Sequence, residues 1–305
     1  MSNEDTQGVE DTQGALVARS FALCTLAYVA AGMIALAVGH LLPGRHPITI
    51  AAAADVVATL VVWGFSTVFR NSSFYDPYWS VAPIAIAAYW SECADAEAEP
   101  VRQVLALAVV LLWGLRLTYN WARRWQGLDH EDWRYVDFRN RFGARFWLID
   151  LSGIHMFPTV QVFLGCLPLY PTLATGTRPL GIIDLAALVV GLAAVGIETV
   201  ADKQLWRFLQ SRQQPDAILK TGLWAYSRHP NYFGEILVWW SLWLFGLAAD
   251  PWWWWTGIGA LSITLMFQFA SVPMLDKRSL ERRRGYAEHM RQVSAVVPWF
   301  VKRET

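Results

Sequence analysis

The chain has 305 residues, of which 55% are hydrophobic and only 16% are Asp, Glu, Lys or Arg. An ordinary soluble domain carries roughly 25% charged residues, so this composition excludes a disordered chain or a coiled coil and favours a membrane protein. The 25 basic residues are balanced by 25 acidic ones, which gives no support for nucleic-acid binding. The three cysteines are scattered without a CxxC pair, so we expect no metal site and no disulfide framework.

The first residues form a polar, acidic segment in which EDTQG occurs twice. The segment lacks apolar periodicity, so we predict a disordered acidic tail over residues 1–15. The rest of the chain, 16–305, is predicted to be a single transmembrane domain.

Eight apolar stretches follow, and most are close to the roughly 20 residues that a helix needs to cross a bilayer. They are 16–42, 48–69, 76–91, 101–122, 146–170, 179–201, 232–249 and 252–273. The third stretch is short and contains Pro77 and Pro83, so the same pattern also allows seven spans. We therefore predict an all-α, polytopic bundle of about eight transmembrane helices.

The distribution of charge in the loops predicts an orientation. With the N-terminus inside, most of the 25 Lys and Arg residues lie on the inner side, and the acidic loop 91–99 lies outside. This bias agrees with the positive-inside rule. Eight spans then place both the N- and the C-terminus in the cytoplasm, in either a bacterial inner membrane or an endoplasmic reticulum membrane.

Several polar residues lie singly in the spans, and each has a structural interpretation. Asp55 and Asp184 lie near predicted outer helix ends, so we interpret them as helix caps. His155 and Gln161 in the fifth span are interpreted as partners in interhelical hydrogen bonds. Arg116 in the fourth span is expected to reach the inner edge or to pair with Asp76.

Polar residues that could take part in binding or catalysis are concentrated at the predicted inner ends of the spans within 180–305. Glu198 and Asp202 are four residues apart and so share one helix face. The segment KTGLWAYSRHPNYFGE (220–235) brings Arg, His, Asn, Tyr and Glu to the start of an apolar helix, and a basic segment follows at 277–291. Because ionisable groups at a membrane are costly, such a cluster indicates a functional site.

The composition of this cluster suits a nucleotide. Arg207, Lys220 and Arg228 can hold phosphate groups, and Trp224 and Tyr232 offer flat faces for a ring. Neither a GxGxxG after a strand nor a P-loop is present, so the nucleotide would not be held as in a Rossmann or P-loop protein.

Two segments carry a resemblance to a known family: SRHPNYFGEILVWW (227–240) and MLDKRSLERRRGYAEHMRQVSAVVPWF (274–300). They resemble the steroid 5-alpha-reductase-like membrane family, and in particular its bacterial branch, catalogued as a domain of unknown function. YDPYWSVAP (75–83), WGLRLTYNWARRW (113–125) and EDWRY (131–135) are also similar to that branch. The resemblance covers the chain from about residue 50.

The resemblance implies a membrane oxidoreductase that uses NADPH to reduce a carbon–carbon double bond conjugated to a carbonyl in a lipophilic, steroid-like substrate. Such an enzyme transfers a hydride from the nicotinamide, while a hydrogen-bond donor polarises the carbonyl oxygen. Sterol, bile-acid-like, quinone-like and fatty enone compounds all stay open as substrates. The expected partners are this substrate and membrane lipid.

The resemblance and the local chemistry together predict the cofactor-binding residues. Asn231 and Glu235 match the family's N-x-x-G-E segment, Asp202 matches an upstream acidic residue, and Lys220 stands at a basic position, with Arg207 a looser match. The full set is Asp202, Arg207, Lys220, Trp224, Arg228, His229, Asn231, Tyr232 and Glu235.

Catalytic residues at the substrate end follow from the resemblance with one departure. The reductases use a glutamate and a tyrosine near the substrate carbonyl, and Asp76 is the counterpart of that glutamate. Trp113 stands where the tyrosine would be, and an indole is a poorer proton source than a phenol. We therefore expect Tyr78 or Tyr119 to act with Asp76.

Two other functions stay open. The pattern RHPxYxG before a hydrophobic hairpin also occurs in membrane methyltransferases of the isoprenylcysteine and phospholipid type, which bind S-adenosylmethionine. In those enzymes a pair of glutamates follows the hairpin, whereas this chain has PMLDKR at 273–278. A lipid-binding or transport protein is the third interpretation, although the two halves of the chain show no internal repeat.

Overall fold

The computed structural model describes residues 3–212 and 214–302. The regular structure within these ranges is entirely helical, and their one β-type pairing is an isolated bridge between Ser227 and Ser294. The all-α fold predicted from the sequence is confirmed.

Seven helical segments in the described ranges are long and apolar enough to cross a membrane: Gly14–Leu41, Pro47–Phe69, Pro100–Arg124, Trp133–Thr175, Ile182–Ser211, Pro230–Ala249 and Pro251–Arg282. The chain is therefore a multi-pass membrane protein. The predicted third span forms a helix of 15 residues, Tyr78–Glu92. This helix rises only about 22 Å, which is less than the roughly 30 Å of a hydrocarbon core. An even number of crossings places the two ends on the same side of the membrane, and an odd number places them on opposite sides. The cytoplasmic location of both ends therefore stays a prediction.

The chain divides into two compact units. The first unit combines Met1–Tyr89 with Gly114–Phe163, and the second combines Trp90–Trp113 with Leu164–Thr305. The sequence predicted one domain over 16–305 and did not suggest this division. The boundaries of the domain predicted over 16–305 are not tested and stay a prediction.

The first unit contains the N-terminal helices and a polar loop region. Its helices are α1 (Asn3–Leu41), α2 (Pro47–Phe69), α3 (Tyr78–Glu92), the C-terminal part of α4 (Pro100–Arg124), α5 (Trp133–Phe142), α6 (Phe146–Ile149) and the first part of α7 (Phe157–Cys166). A π-helical segment, Asp150–Met156, joins α6 to α7.

Helix α1 begins before the residue that the sequence predicted. Residues 3–15 lie within α1, whereas we expected a disordered tail over 1–15. A helix nucleated in the apolar segment extends readily into acidic residues, because these are favourable near a helix N-terminus. Residues 1 and 2 lie outside the described residues.

A sharp turn after α2 positions the residues that begin α3. Helix α2 ends at Phe69, and the residue that follows, Arg70, has a left-handed φ of 51°. The side chain of Asn71 then accepts a hydrogen bond from the Ser73 backbone N–H and caps a 3-10 turn, Ser72–Tyr75. The chain thereby reverses at once, and Tyr75 and Tyr78 stand beside α2.

The second unit is built around two closely packed helices. Its helices are the N-terminal part of α4, the end of α7, α8 (Ile182–Ser211), α9 (Pro230–Ala249), α10 (Gly257–Met266), α11 (Val272–Arg282) and α12 (Tyr286–Gln292). A Cβ atom on Gly234 of α9 would lie 2.5 Å from Glu198 Cγ and 2.9 Å from the Ala194 carbonyl oxygen of α8. Glycine is therefore required for this close approach, as is common between membrane helices.

Candidate functional site

The first unit contains an apolar cavity of about 610 Å³ between α1, α2 and α3. This volume is within the range of ligand pockets in proteins. Small residues on the three helices leave the space open: Ala31, Gly32, Ala35, Gly39, Ala51, Ala54, Ala58, Ala82 and Ala85. Such a cavity suits a lipophilic molecule.

One carboxyl group lies in the wall of this cavity. Asp55 is 7% exposed, and its Oδ1 accepts a hydrogen bond of 2.6 Å from the Tyr78 hydroxyl. Its Oδ2 is buried and has no hydrogen-bond partner. A buried polar atom without a partner costs roughly 1–3 kcal/mol, so its presence at a cavity indicates a place for a polar group of a ligand.

The position of Asp55 corrects the interpretation made from the sequence. Asp55 is not a helix cap, because α2 begins at Pro47 and is capped by the His46 side chain, which accepts from the Ile48 N–H. Asp55 therefore lies more than two turns inside the helix. The predicted stretch 48–69 agrees with these bounds, so only the interpretation of Asp55 as a cap was wrong.

A chain of hydrogen-bonded, buried hydroxyl groups also holds the Tyr78 side chain in place. The Tyr78 hydroxyl is hydrogen-bonded to Thr59, and Thr59 Oγ1 lies 2.8 Å from Thr159 Oγ1. The Tyr75 hydroxyl lies 2.7 Å from the same Thr159 oxygen. The position of Tyr78 is thereby fixed, and its hydroxyl is held against Asp55.

The three residues predicted to be catalytic are not brought together. Asp76 accepts a hydrogen bond of 2.7 Å from the Tyr135 hydroxyl, and it is not among the residues that line the cavity. Burial raises the pKa of Asp76 to about 6, although Arg134 and Tyr135 act in the opposite direction. Tyr119 is 65% exposed and lies under the Arg123 guanidinium. Of the three, only Tyr78 contacts the cavity.

The second unit contains a carboxylate that the sequence analysis did not single out. Asp276 on α11 accepts hydrogen bonds from Arg228 Nε and Nη2, at 3.3 and 2.6 Å, and from the Tyr286 hydroxyl at 2.7 Å. His229 Nε2 lies 3.2 Å from the same carboxylate. The sequence signals for Asp276 were its place in the segment 274–300, which carried the resemblance, and in PMLDKR (273–278), where the methyltransferases have a pair of glutamates.

The remaining donors of Arg228 also stay within the protein. Its Nη1 donates to the carbonyl oxygens of Met290 and Val293, and its backbone N–H donates to Ser294. Arg228 therefore ties the start of α9 to the segment after α12, which is a structural role that the sequence did not predict. Phosphate binding by Arg228 and His229 stays a prediction.

Glu235 is buried among aromatic rings. It is 5% exposed, and its two carboxylate oxygens accept from the indole N–H groups of Trp113 and Trp239 at 2.9 and 3.0 Å. Asp202 is buried as well, and Trp224 donates to the Ala201 carbonyl oxygen beside it.

Five of the predicted cofactor-binding residues stay accessible: Arg207 and Lys220 are exposed, and Trp224, Asn231 and Tyr232 are partly exposed. The Tyr232 ring stacks on His229, with 5.5 Å between ring centroids. The pKa of the buried His289 falls to about 4, first because of burial and then because of the positive charges of Lys220 and Arg228. Lys220 and Arg228 therefore place positive charge near His289, although the negative charge of Asp276 acts in the opposite direction.

Two other interpretations from the sequence are confirmed. Asp184 accepts from the Gly181 N–H at the start of α8, and it also forms a buried ion pair with Arg102 at 2.7 Å. His155 Nε2 lies 3.0 Å from Ser66 Oγ and so makes the interhelical hydrogen bond expected of it. In the described part of the chain, no group of three or more His, Cys, Asp and Glu side chains could hold a metal ion.

Comparison with known protein families gives a match over residues 62–293 to a family described as "Protein of unknown function (DUF1295)". The chain belongs to the DUF1295 family. A relative from Schizosaccharomyces pombe, described as an uncharacterized protein, is 27% identical over 279 residues, covering 83% of this chain and 80% of the relative. No solved structure gives a significant match. The domain of unknown function expected from the resemblance agrees with this match, and the similarity to the steroid 5-alpha-reductase-like family stays a prediction.

Proposed function

We propose that this DUF1295 protein is a membrane oxidoreductase that uses NADPH to reduce a carbon–carbon double bond conjugated to a carbonyl in a lipophilic substrate. The observation that carries the proposal is Asp55 Oδ2, a buried carboxyl oxygen without a hydrogen-bond partner in the wall of an apolar cavity. The resemblance around 227–240 supports the choice of cofactor.

The cavity and its single carboxyl group suit the proposed substrate and reaction. Its lining is almost entirely aliphatic or aromatic, which suits a hydrocarbon skeleton. A protonated carboxyl group can donate one hydrogen bond, which is the interaction that polarises a carbonyl oxygen. We therefore assign the role predicted for Asp76 to Asp55 and keep Tyr78 beside it.

The proposed reaction follows from these contacts. When bound, NADPH supplies a hydride to the β carbon of the conjugated alkene. Negative charge then builds on the carbonyl oxygen, and Asp55 Oδ2–H donates a hydrogen bond and then its proton to that oxygen. The Tyr78 hydroxyl, 2.6 Å from Oδ1, stabilises the carboxylate that remains. The saturated ketone forms when the α carbon of the enol takes a proton from water and the enol oxygen returns its proton to Asp55, so that the product gains one hydride and one solvent proton.

The residues of the second unit fit a nucleotide in part. The exposed cations Lys220 and Arg207 can bind phosphate groups, and Asn231 can bind a carboxamide. Each Glu235 oxygen accepts one indole N–H, and a carboxylate oxygen can accept more than one donor, so Glu235 can also bind an amide. Arg228 and His229 fit less well, because Asp276 already engages them.

A pair of matched substitutions tests the proposal. NADPH oxidation would be followed with the purified protein in nanodiscs and a panel of lipophilic enones, and mass spectrometry would show the gain of two hydrogens. Asp55→Asn should lower kcat at least about 100-fold, because the amide cannot deliver a proton. Thermal stabilisation by NADPH should be unchanged in this variant.

The same experiment includes the results that would overturn the proposal. Loss of turnover in Asp76→Asn with wild-type turnover in Asp55→Asn would make Asp76 the acid, as the sequence predicted. Failure to reduce any enone, together with stabilisation by S-adenosylmethionine and not by NADPH, would favour the methyltransferase alternative.

A further inference from the structure

Two groups of exposed aromatic residues in the second unit lie at two levels along α9, one near each end of the helix. Trp252 and Trp254, directly after α9, are 83% and 65% exposed. At the other end of α9, Tyr226, Trp299 and Phe300 are 47%, 65% and 76% exposed. Exposed tryptophan and tyrosine side chains concentrate at the two membrane–water interfaces of membrane proteins.

The distance between the two levels agrees with the thickness of a bilayer. Helix α9, Pro230–Ala249, has 20 residues and so rises about 30 Å. This length equals the typical thickness of the hydrocarbon core. Trp299 lies at the start of α9, because its backbone N–H donates to the Tyr226 carbonyl oxygen, four residues before Pro230.

The segment that carries Trp299 and Phe300 is held firmly. We call residues 293–302 the C-terminal strap. Its backbone pairs with the segment before α9 at Ser227 and Ser294, and the Lys302 N–H donates to the Gln292 carbonyl oxygen. The strap is therefore fixed to the unit by its backbone, while Trp299 and Phe300 project outwards.

Exposed cations occur in the same C-terminal part of the second unit. They are Arg282 at the end of α11, Arg284 two residues later, and Lys302 in the C-terminal strap. Lys and Arg close to the membrane surface attract anionic headgroups, and aromatic rings beside them insert at headgroup level.

We propose that the C-terminal strap is an interfacial anchor that binds the surface of a bilayer containing anionic lipids. The anchor also supports the segment 226–229, because Arg228 donates to the Val293 carbonyl oxygen and to Ser294 through its backbone N–H. Binding of the strap to anionic lipid therefore stabilises the segment that carries the RHP motif. This inference does not depend on the proposed reductase activity.

Depth measurement tests the position of the strap directly. Cys93 would be replaced by Ser, and Phe300→Cys would be spin-labelled in nanodiscs, with Cys24 and Cys166 left buried. We expect the label to be more accessible to dissolved oxygen than to a water-soluble nickel chelate. The matched control is Gln214→Cys in an exposed polar loop, where the chelate should prevail. Equal chelate accessibility at both positions would overturn the proposal.

Lipid dependence tests the choice of partner. Thermal unfolding would be compared in nanodiscs of phosphatidylcholine with and without phosphatidylglycerol. Anionic lipid should raise the Tm of the wild type, and Trp299→Ser with Phe300→Ser should remove most of that rise. Trp252→Ser with Trp254→Ser, at the other level, should keep it. An equal rise in both double variants, or a wild-type dimer in detergent that only the strap variant abolishes, would overturn the lipid assignment.

Discussion

Two buried aspartates, one in each unit, show opposite patterns of hydrogen bonding. Asp276 in the second unit is surrounded by donors from Arg228, His229 and Tyr286. Asp55 in the first unit, a residue that lines the cavity, accepts from Tyr78 through Oδ1, and its buried Oδ2 has no hydrogen-bond partner. The difference separates a carboxylate whose oxygens are satisfied within the protein from one with an unsatisfied oxygen.

The physical basis of this difference is the cost of burying a polar group. A carboxylate whose oxygens are satisfied by a buried cation and other donors holds several chain segments together. A carboxyl oxygen left without a donor lowers stability, and only an interaction with a ligand recovers that cost. Changes at the two positions should therefore have opposite consequences for stability and activity.

The largest expected effect is on stability at Asp276. Asp276→Asn leaves the buried Arg228 charge without its partner and should cost about 3–5 kcal/mol of unfolding free energy. Chemical denaturation in detergent would measure this loss. Asp55→Asn is the matched control and should change stability by about 1 kcal/mol or less, because Tyr78 can still donate to the amide oxygen. Equal losses in the two variants would contradict the comparison.

Acid should weaken the second unit through His289. Its folded-state pKa is about 4, below the usual value of 6.5, so the unfolded chain binds more protons between these pH values. The free energy of unfolding is therefore highest above pH 6.5 and decreases by about 3 kcal/mol as the pH falls towards 4. Denaturation midpoints between pH 7 and 4.5 would show this slope. His289→Gln should flatten it, and an unchanged slope would mean that another group is responsible.

Asp76 in the first unit should act in the opposite direction and somewhat more weakly. Its folded-state pKa is about 6, above the usual 3.8, so the folded chain binds more protons in this window. Stability is present below the usual value and is lost as the pH rises through 6, by about 2–3 kcal/mol. Asp76→Asn keeps an acceptor for Tyr135 and should be more stable than wild type at pH 7.5. A less stable variant would show that the ionised carboxylate stabilises the fold.

Local features of the sequence determined the class of the fold. Apolar runs of helical length predicted four of the seven spans to within two residues at each end, because the transfer of a helix into a bilayer depends on its own residues. Ile182–Ser211 and Pro251–Arg282 extend about ten residues beyond their predicted ends, and Trp133–Thr175 is longer than predicted at both ends. The motif at 227–240 likewise marked the start of α9 correctly. The short helix α3, Tyr78–Glu92, was ambiguous because its apolar run is close to the minimum that can cross.

Tertiary structure alone decided which polar residues act together. Asp55 and Tyr78 are 23 positions apart in sequence, and Arg228 and Asp276 are 48 apart. The sequence analysis chose Asp76 as the counterpart of the reductases' glutamate, whereas Tyr78, which follows the turn Ser72–Tyr75, donates to Asp55. Hydrogen bonds between distant residues depend on how helices pack, and that packing is not encoded in any local pattern of apolar residues.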